Sequence, residues 1–303
     1  MNRVLLTGAT GFVGKHLLSD LKSHGFDVQI LNLRTVHSKF DFRNTDTLIH
    51  LAVKAHDLKN TSSSSEYYET NYELTKNVYN AFIASEVRKF IFMSSVKASA
   101  DEVPEILKES DKAKPMTHYG KSKRMAEEFI LSQQLPEGKS FFILRPCMIH
   151  GPGNKGNLNL LYKLISKGMP YPLAAFENKR SFLSIENLCF VIRELLNRDD
   201  IASGIYNVAD NEVLSTNDLI KLIAKASDRS PRLWKINPLL IRTIAKFGDT
   251  LKLPLTSERL NKLTENYIVD NSKIKNALGK EFPVQAREGI IKTIKSFQNS
   301  KKK

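Results

Sequence analysis

The chain has 303 residues, 41% of them hydrophobic, with 46 Lys and Arg against 32 Asp and Glu for a formal net charge of +14. That length and apolar content suffice for one large α/β domain with a smaller lobe, and exclude a disordered or a small disulfide-stapled chain. The positive charge is spread over helix faces without any nucleic-acid-binding pattern, and no apolar run reaches the roughly 20 residues of a membrane span, so neither a nucleic-acid partner nor a membrane span is expected.

Val4-Leu5-Leu6 reads as a buried strand over Arg3–Leu6 and leads into Thr7-Gly8-Ala9-Thr10-Gly11-Phe12-Val13-Gly14, a glycine-rich turn before a helix over about Val13–His24. A pyrophosphate needs backbone N–H groups at close range and the positive end of a helix. Gly8 and Gly11 leave room for its oxygens, and Gly14 lets the helix lie against the strand. Val28–Leu33 and Thr47–Ala52 read as strands, Tyr68–Ser85 as a long helix, Lys89–Ser94 as a strand, Tyr119–Gln134 as a helix and Phe141–Arg145 as a strand. This alternation is that of a doubly wound parallel sheet. From Gly151-Pro152-Gly153 the alternation fades. Residues 1–153 are therefore expected to form a dinucleotide-binding domain and 154–303 mainly a substrate lobe, with 181–210 returning to the first domain through a strand at Gly204–Val208. Pro238–Leu255, rich in Leu, Ile and Pro with interspersed Lys and Arg, is expected to be a buried or partner-facing helix rather than an interfacial membrane helix.

Oxidising a secondary alcohol requires a group that takes the hydroxyl proton while hydride leaves the carbon, and a tyrosine with pKa about 10 does this poorly unless a cation stands near. Tyr119-Gly120-Lys121-Ser122-Lys123 puts a lysine one helical turn after a tyrosine. A second Tyr-x-x-x-Lys, Tyr72–Lys76, precedes the strand that ends in Ser94-Ser95 and reads as an accidental copy. Ligands of open α/β sheets collect at the carboxyl ends of strands, which makes Ser95 the candidate partner of Tyr119 and leaves Ser94 as the expected turn cap. Cys147 and Cys189 sit apart in apolar stretches, so no disulfide and no metal site is read.

The Gly-x-x-Gly-x-x-Gly spacing with its Thr-Gly-Ala-Thr start, together with Tyr-Gly-x-Ser-Lys, resembles the short-chain dehydrogenase/reductase superfamily, in its extended nucleotide-sugar branch. Met93–Lys97 is similar to the bacterial surface-polysaccharide enzymes that act on UDP-linked N-acetylated 6-deoxyhexoses, and the resemblance covers nearly the whole chain. It implies a Rossmann-like α/β fold with a smaller C-terminal substrate lobe, NADP or NAD as cofactor, a nucleotide-sugar substrate, a homodimer and a cytoplasmic setting. It also implies catalysis by Ser95, Tyr119 and Lys123, with Lys123 lowering the tyrosine pKa and binding the nicotinamide ribose. Gly8, Gly11, Phe12, Val13, Gly14, Asn32, Arg34, Asp41, Leu51, Ala52 and Pro146 would hold the dinucleotide, and Ser95, Asn157, Leu158 and Arg180 the substrate. Arg180 suits a diphosphate because a guanidinium makes two parallel bonds to phosphate oxygens. Asn71 matches an asparagine that supports the active-site backbone.

Two departures bear on the reaction. The stretch between Leu33 and Thr47 is too short for the family's usual strand and helix, so Asp41 is either the acid facing the adenine or a turn residue. Dehydratases carry an Asp-Glu pair where this chain has Val96-Lys97, which leaves redox at one carbon, C4. Leu31–Thr35 lacks a carboxylate to grip the ribose, and Arg34 could meet a 2′-phosphate, which tilts the expectation to NADP(H) and a 4-keto reductase ahead of a 4-epimerase. The alternative is a non-catalytic dinucleotide-sensing protein.

Overall fold

Apolar runs too short for helices become strands, and strands covered on both faces lose their polar alternation. The computed structural model describes residues 3–33, 40–54, 63–154, 156–251 and 255–299. The chain opens with β1 (Arg3–Thr7), α1 (Phe12–Ser23), β2 (Asp27–Leu31) and β3 (Thr47–His50). A helix in three parts follows: α2 (Ser64–Tyr68), a π-helical turn (Glu69–Glu73) and α3 (Leu74–Ile83). Next come β4 (Lys89–Met93), a 3₁₀ turn (Val96–Ala98), β5 (Ile106–Leu107), α4 (His118–Ser132) and β6 (Ser140–Pro146). The chain continues through β7 (Met148–His150), α5 (Asn157–Ile165), β8 (Arg180–Ser184), α6 (Ile185–Asn197), β9 (Gly204–Val208), β10 (Val213–Leu214) and α7 (Thr216–Ala226). It ends in α8 (Pro238–Leu251), α9 (Ser257–Thr264), β11 (Ile268–Val269), α10 (Ser272–Leu278) and α11 (Ala286–Asn299).

Six strands pair in parallel in the order β2-β1-β3-β4-β6-β9, so the chain reverses its direction of growth between β1 and β3, where the glycine turn lies. The period of two along each strand divides the core. Leu6, Ile49, Ile91 and Leu144 face the layer with α1 and α6, while Leu5, Leu48, Phe90 and Ile143 face the layer with α3 and α4. Gly204–Val208 forms the far edge strand, in register with β6. At the other edge the short segment after Leu33 contributes no further described strand, and β2 leaves Ile30 54% exposed. A cleft of about 1130 Å³ runs there beside α3, lined by Leu33, Phe40, Asp41, Asn77, Asn80 and Asp46 among others.

A smaller lobe forms around the sheet β10-β8-β7, with Leu158, Tyr162, Phe182, Ile220, Ile223 and Ile290 in its core. The chain crosses between the lobes repeatedly: β11 pairs with β5, and Ile274 and Leu278 of α10 fill the first core. α8, expected to be a buried or partner-facing helix, is buried along one stripe only. It packs Ile241, Ala245 and Gly248 inward and leaves Leu239, Phe247 and Leu251 more than 60% exposed.

Candidate active site

Gly8 has φ +70°, a left-handed backbone that favours glycine, and a Cβ there would lie 2.7 Å from the Ala52 nitrogen. A Cβ on Gly14 would lie 2.2 Å from the Gly8 carbonyl oxygen, so α1 meets the turn at a distance only glycine permits. Gly11 caps α1 without a side-chain bond, its N–H donates to the Gly8 carbonyl at 3.1 Å, and the first turn carries no acid. The N–H groups and positive dipole end of a twelve-residue helix thus face the turn. These residues fit a dinucleotide pyrophosphate. Phe12 and Val13 pack against the core below, and Leu51 and Ala52 wall the turn from β3, with the Ala52 N–H donating to Thr7 Oγ1 at 3.2 Å.

Tyr119 begins α4, whose N-cap Thr117 accepts the Gly120 N–H at 3.1 Å. Its half-buried phenol lies beside Ser95. Burial pushes the phenol pKa above its ordinary value, and the Ser95 side chain offsets part of that rise. Ser95, not Ser94, is the turn cap: its Oγ accepts the Lys97 N–H at 3.2 Å. Ser94 continues the alternation of β4 into the layer beneath α4 and donates to Glu127 Oε1 at 2.5 Å.

Lys123 lies on the same helix face but is turned to the sheet, its Nζ donating to the Met93 carbonyl at 2.6 Å and standing 4.5 Å over the Phe92 ring. Burial brings its pKa down to about 7, against the pull of Glu127. Lys123 is not among the groups that shift the Tyr119 pKa in this arrangement, where its Nζ is bonded to the main chain of β4.

Several supports surround this turn, of which Asn71 alone was expected from the sequence. The buried Glu127 carboxylate accepts from Arg145 at 2.8 and 2.6 Å, tying α4 to β6. Asp101 accepts the N–H groups of Met116 and Thr117 at 2.6 and 3.1 Å and so holds the start of the tyrosine helix. His50 bridges Thr7 Oγ1 at 2.9 Å and Thr75 Oγ1 at 3.1 Å, and burial lowers its pKa to about 3. Asn71, buried in the π-helical turn, donates to Ser122 Oγ at 3.1 Å and accepts the Lys54 N–H at 2.8 Å, while Ser122 donates to the Tyr119 carbonyl. It therefore joins the strand end after β3 to the tyrosine turn. Glu127, four residues after Lys123, carried the one available signal in its helical spacing.

The remaining candidates are spread more widely. Pro146 ends β6 beside Val208 of β9. Asn32 is exposed just after β2, and Arg34 lies outside the described residues. Asp41 is exposed, and Arg43 grips both its oxygens and holds its pKa down to about 2. Asn157 begins α5, while Leu158 is buried in the smaller lobe's core. Arg180 is already engaged, by the Glu265 carboxylate at 3.3 Å and the carbonyls of Lys262 and Glu265.

A parallel sheet with a glycine-cradled helix N-terminus at its switch point defines a dinucleotide-binding Rossmann-type protein. The chain belongs to the NAD dependent epimerase/dehydratase family, whose model matches residues 4–209. It is 32% identical to a UDP-glucose 4-epimerase of Vibrio cholerae, over 97% of this chain and 95% of that one. It is 28% identical to the N-acetyl-alpha-D-glucosaminyl-diphospho-ditrans,octacis-undecaprenol 4-epimerase of Escherichia coli O157:H7, over 99% of this chain and 97% of the relative. The structure of UDP-glucuronic acid 4-epimerase from Bacillus cereus in complex with NAD shares the fold, with TM-score 0.76, 18% identity and coverage of 98% and 99% of the two chains.

Proposed function

We propose that the protein interconverts hydroxyl and keto groups at C4 of a nucleotide-linked sugar, UDP being the expected nucleotide. The observation that carries this reading is the placement of Tyr119 beside Ser95 beyond the carboxyl end of β4, on the same sheet edge as the glycine turn. When bound, the nicotinamide supplies hydride acceptance and return. With Lys123 turned from Met93 towards the phenol to favour its phenolate form, Tyr119 would take the C4 hydroxyl proton as the C–H electron pair leaves, and return it to the ketone oxygen in the reverse direction. Ser95 orients both oxygens, and Lys123, released from Met93, is proposed to hold the ribose. Gly8, Gly11 and Gly14 would hold the pyrophosphate, and Arg180 would exchange Glu265 for the substrate diphosphate.

Epimerisation is supported by two of the relatives that match along almost the whole chain. Net reduction of a 4-keto sugar, in surface polysaccharide synthesis, is the second reading. It is carried by Leu31-Asn32-Leu33, which offers no carboxylate at the end of β2 to hold an unphosphorylated ribose. A homodimer through α3 and α4, where Met125 and Leu131 are exposed, and a cytoplasmic setting belong to the same proposal. The test is incubation with UDP-hexoses and their 4-keto forms while NADH and NADPH absorbance and sugar configuration are followed. Inversion without net cofactor change identifies an epimerase, and consumption of reduced cofactor a reductase. Binding of dinucleotide with neither outcome would overturn the enzymatic reading.

A further inference from the structure

We propose that α8 and the segment leading into it dock this protein on the surface of an anionic phospholipid bilayer. The inference stands apart from the reading of the substrate. At about 100° per residue, Leu239, Phe247, Leu240, Leu251 and Ile244 fall within an arc of about 140°, shared only with Thr243 and Thr250. The opposite stripe, Ile241, Ala245 and Gly248, is the one that packs on the protein. On the outer arc Leu239 is 70%, Phe247 63% and Leu251 65% exposed, and Trp234, four residues before the helix, is 56% exposed. Six of the chain's exposed large apolar residues therefore lie between 234 and 251. A soluble surface rarely gathers so much apolar area on one short helix without covering it.

The charge on the same segment says what covers it. From 229 to 246 the chain carries Arg229, Arg232, Lys235, Arg242 and Lys246, and no acid. All five are exposed, and none forms an ion pair among the described residues. Lys246 borders the apolar arc on α8, with Arg242 beyond it next to Asp249, the one acid of the helix. Leu, Phe and Trp beside Lys and Arg on a helix of moderate length is the composition of a segment that lies in a headgroup layer, its apolar face sunk and its cations on phosphates. A two-fold contact through the same face would set these cations against their own copies, which disfavours a second chain as the occupant. No described helix is long and apolar enough to cross a membrane, so the association is with its surface.

The test is flotation of the full chain with vesicles of phosphatidylcholine alone or mixed with phosphatidylglycerol. The protein is expected to float with the mixed vesicles and not the neutral ones, and to be released by salt. Leu240→Ser with Phe247→Ser should cut the bound fraction at least about tenfold. Arg242→Glu with Lys246→Glu should weaken binding about thirtyfold or more. Both variants should keep dinucleotide binding and an unchanged melting temperature, since all four side chains point to solvent. Wild-type protein that stays unbound with mixed vesicles, or serine variants that float as well as wild type, would overturn the proposal. So would a self-association that Phe247→Ser abolishes in sedimentation without any flotation, which assigns the face to a second copy.

Discussion

Glu127 and Arg145 form a two-bonded ion pair at 2.6 and 2.8 Å with side chains 0% and 1% exposed, joining the helix of Tyr119 to the strand that ends at Pro146. Such a pair fixes geometry more than it adds stability, because both charges have left water. Removing one partner strands the other. Glu127→Leu should therefore destabilise the protein by about 3–5 kcal/mol in denaturant unfolding. Glu127→Leu combined with Arg145→Met should recover much of that loss. A double variant no more stable than the single would show that the packing, not the charge, carries the effect.

Tyr119→Phe removes the proton acceptor and keeps the ring. Turnover should fall by about 10²–10⁴-fold while dinucleotide affinity, followed by fluorescence titration, stays within about twofold. Ser95→Ala should act in the same direction and also free the Lys97 N–H it caps. Equal losses of affinity and rate in Tyr119→Phe would point to a structural role.

Gly14→Ala places a methyl 2.2 Å from the Gly8 carbonyl, where only backbone can yield. Dinucleotide affinity is expected to fall by at least about tenfold, because α1 must withdraw from the turn that its N-terminus polarises. Gly138→Ala, at a glycine with φ +75° and no neighbour within 4 Å, serves as a control for backbone strain alone. Its cost should appear in melting temperature and leave affinity unchanged.

The glycine turn and the tyrosine turn were legible because each is a local spacing: a strand, three glycines and a helix in one case, a phenol and an ammonium one turn apart in the other. The alternation of apolar runs gave the parallel sheet for the same reason. What the spacing could not carry is contact between distant residues. Nothing near Arg145 in sequence announces Glu127, and nothing near Asp101 announces the helix start it holds at Met116 and Thr117. Arg180 shows the converse, since its position reads as free for a diphosphate while Glu265, 85 residues on, already occupies it. The apolar residues of α8 fixed a helix there, but burial of one stripe and exposure of the other is settled by its neighbours.

His50 supplies a pH signature. Burial holds its folded pKa at about 3 against an ordinary 6.5, so the folded chain refuses a proton that the unfolded chain binds. Its contribution to stability is complete above about pH 6.5 and is lost progressively as pH falls towards 3. In melts taken between about pH 4 and 7, His50→Gln should flatten this part of the slope. An unchanged slope would mean that carboxylates alone set it.

Because Tyr267, Val269, Ile274, Leu278 and Phe282 complete the core beneath the sheet, the segment with the family's recognisable sequence does not hold the whole of its own core. A truncation after Ala209 would remove the strand that pairs with β5 and the Asn271 amide that donates to the Ala209 carbonyl. It would open the floor of the sheet to water while keeping every glycine of the turn. Engineering that aims to graft the dinucleotide half alone onto another protein must carry residues 267–282 with it.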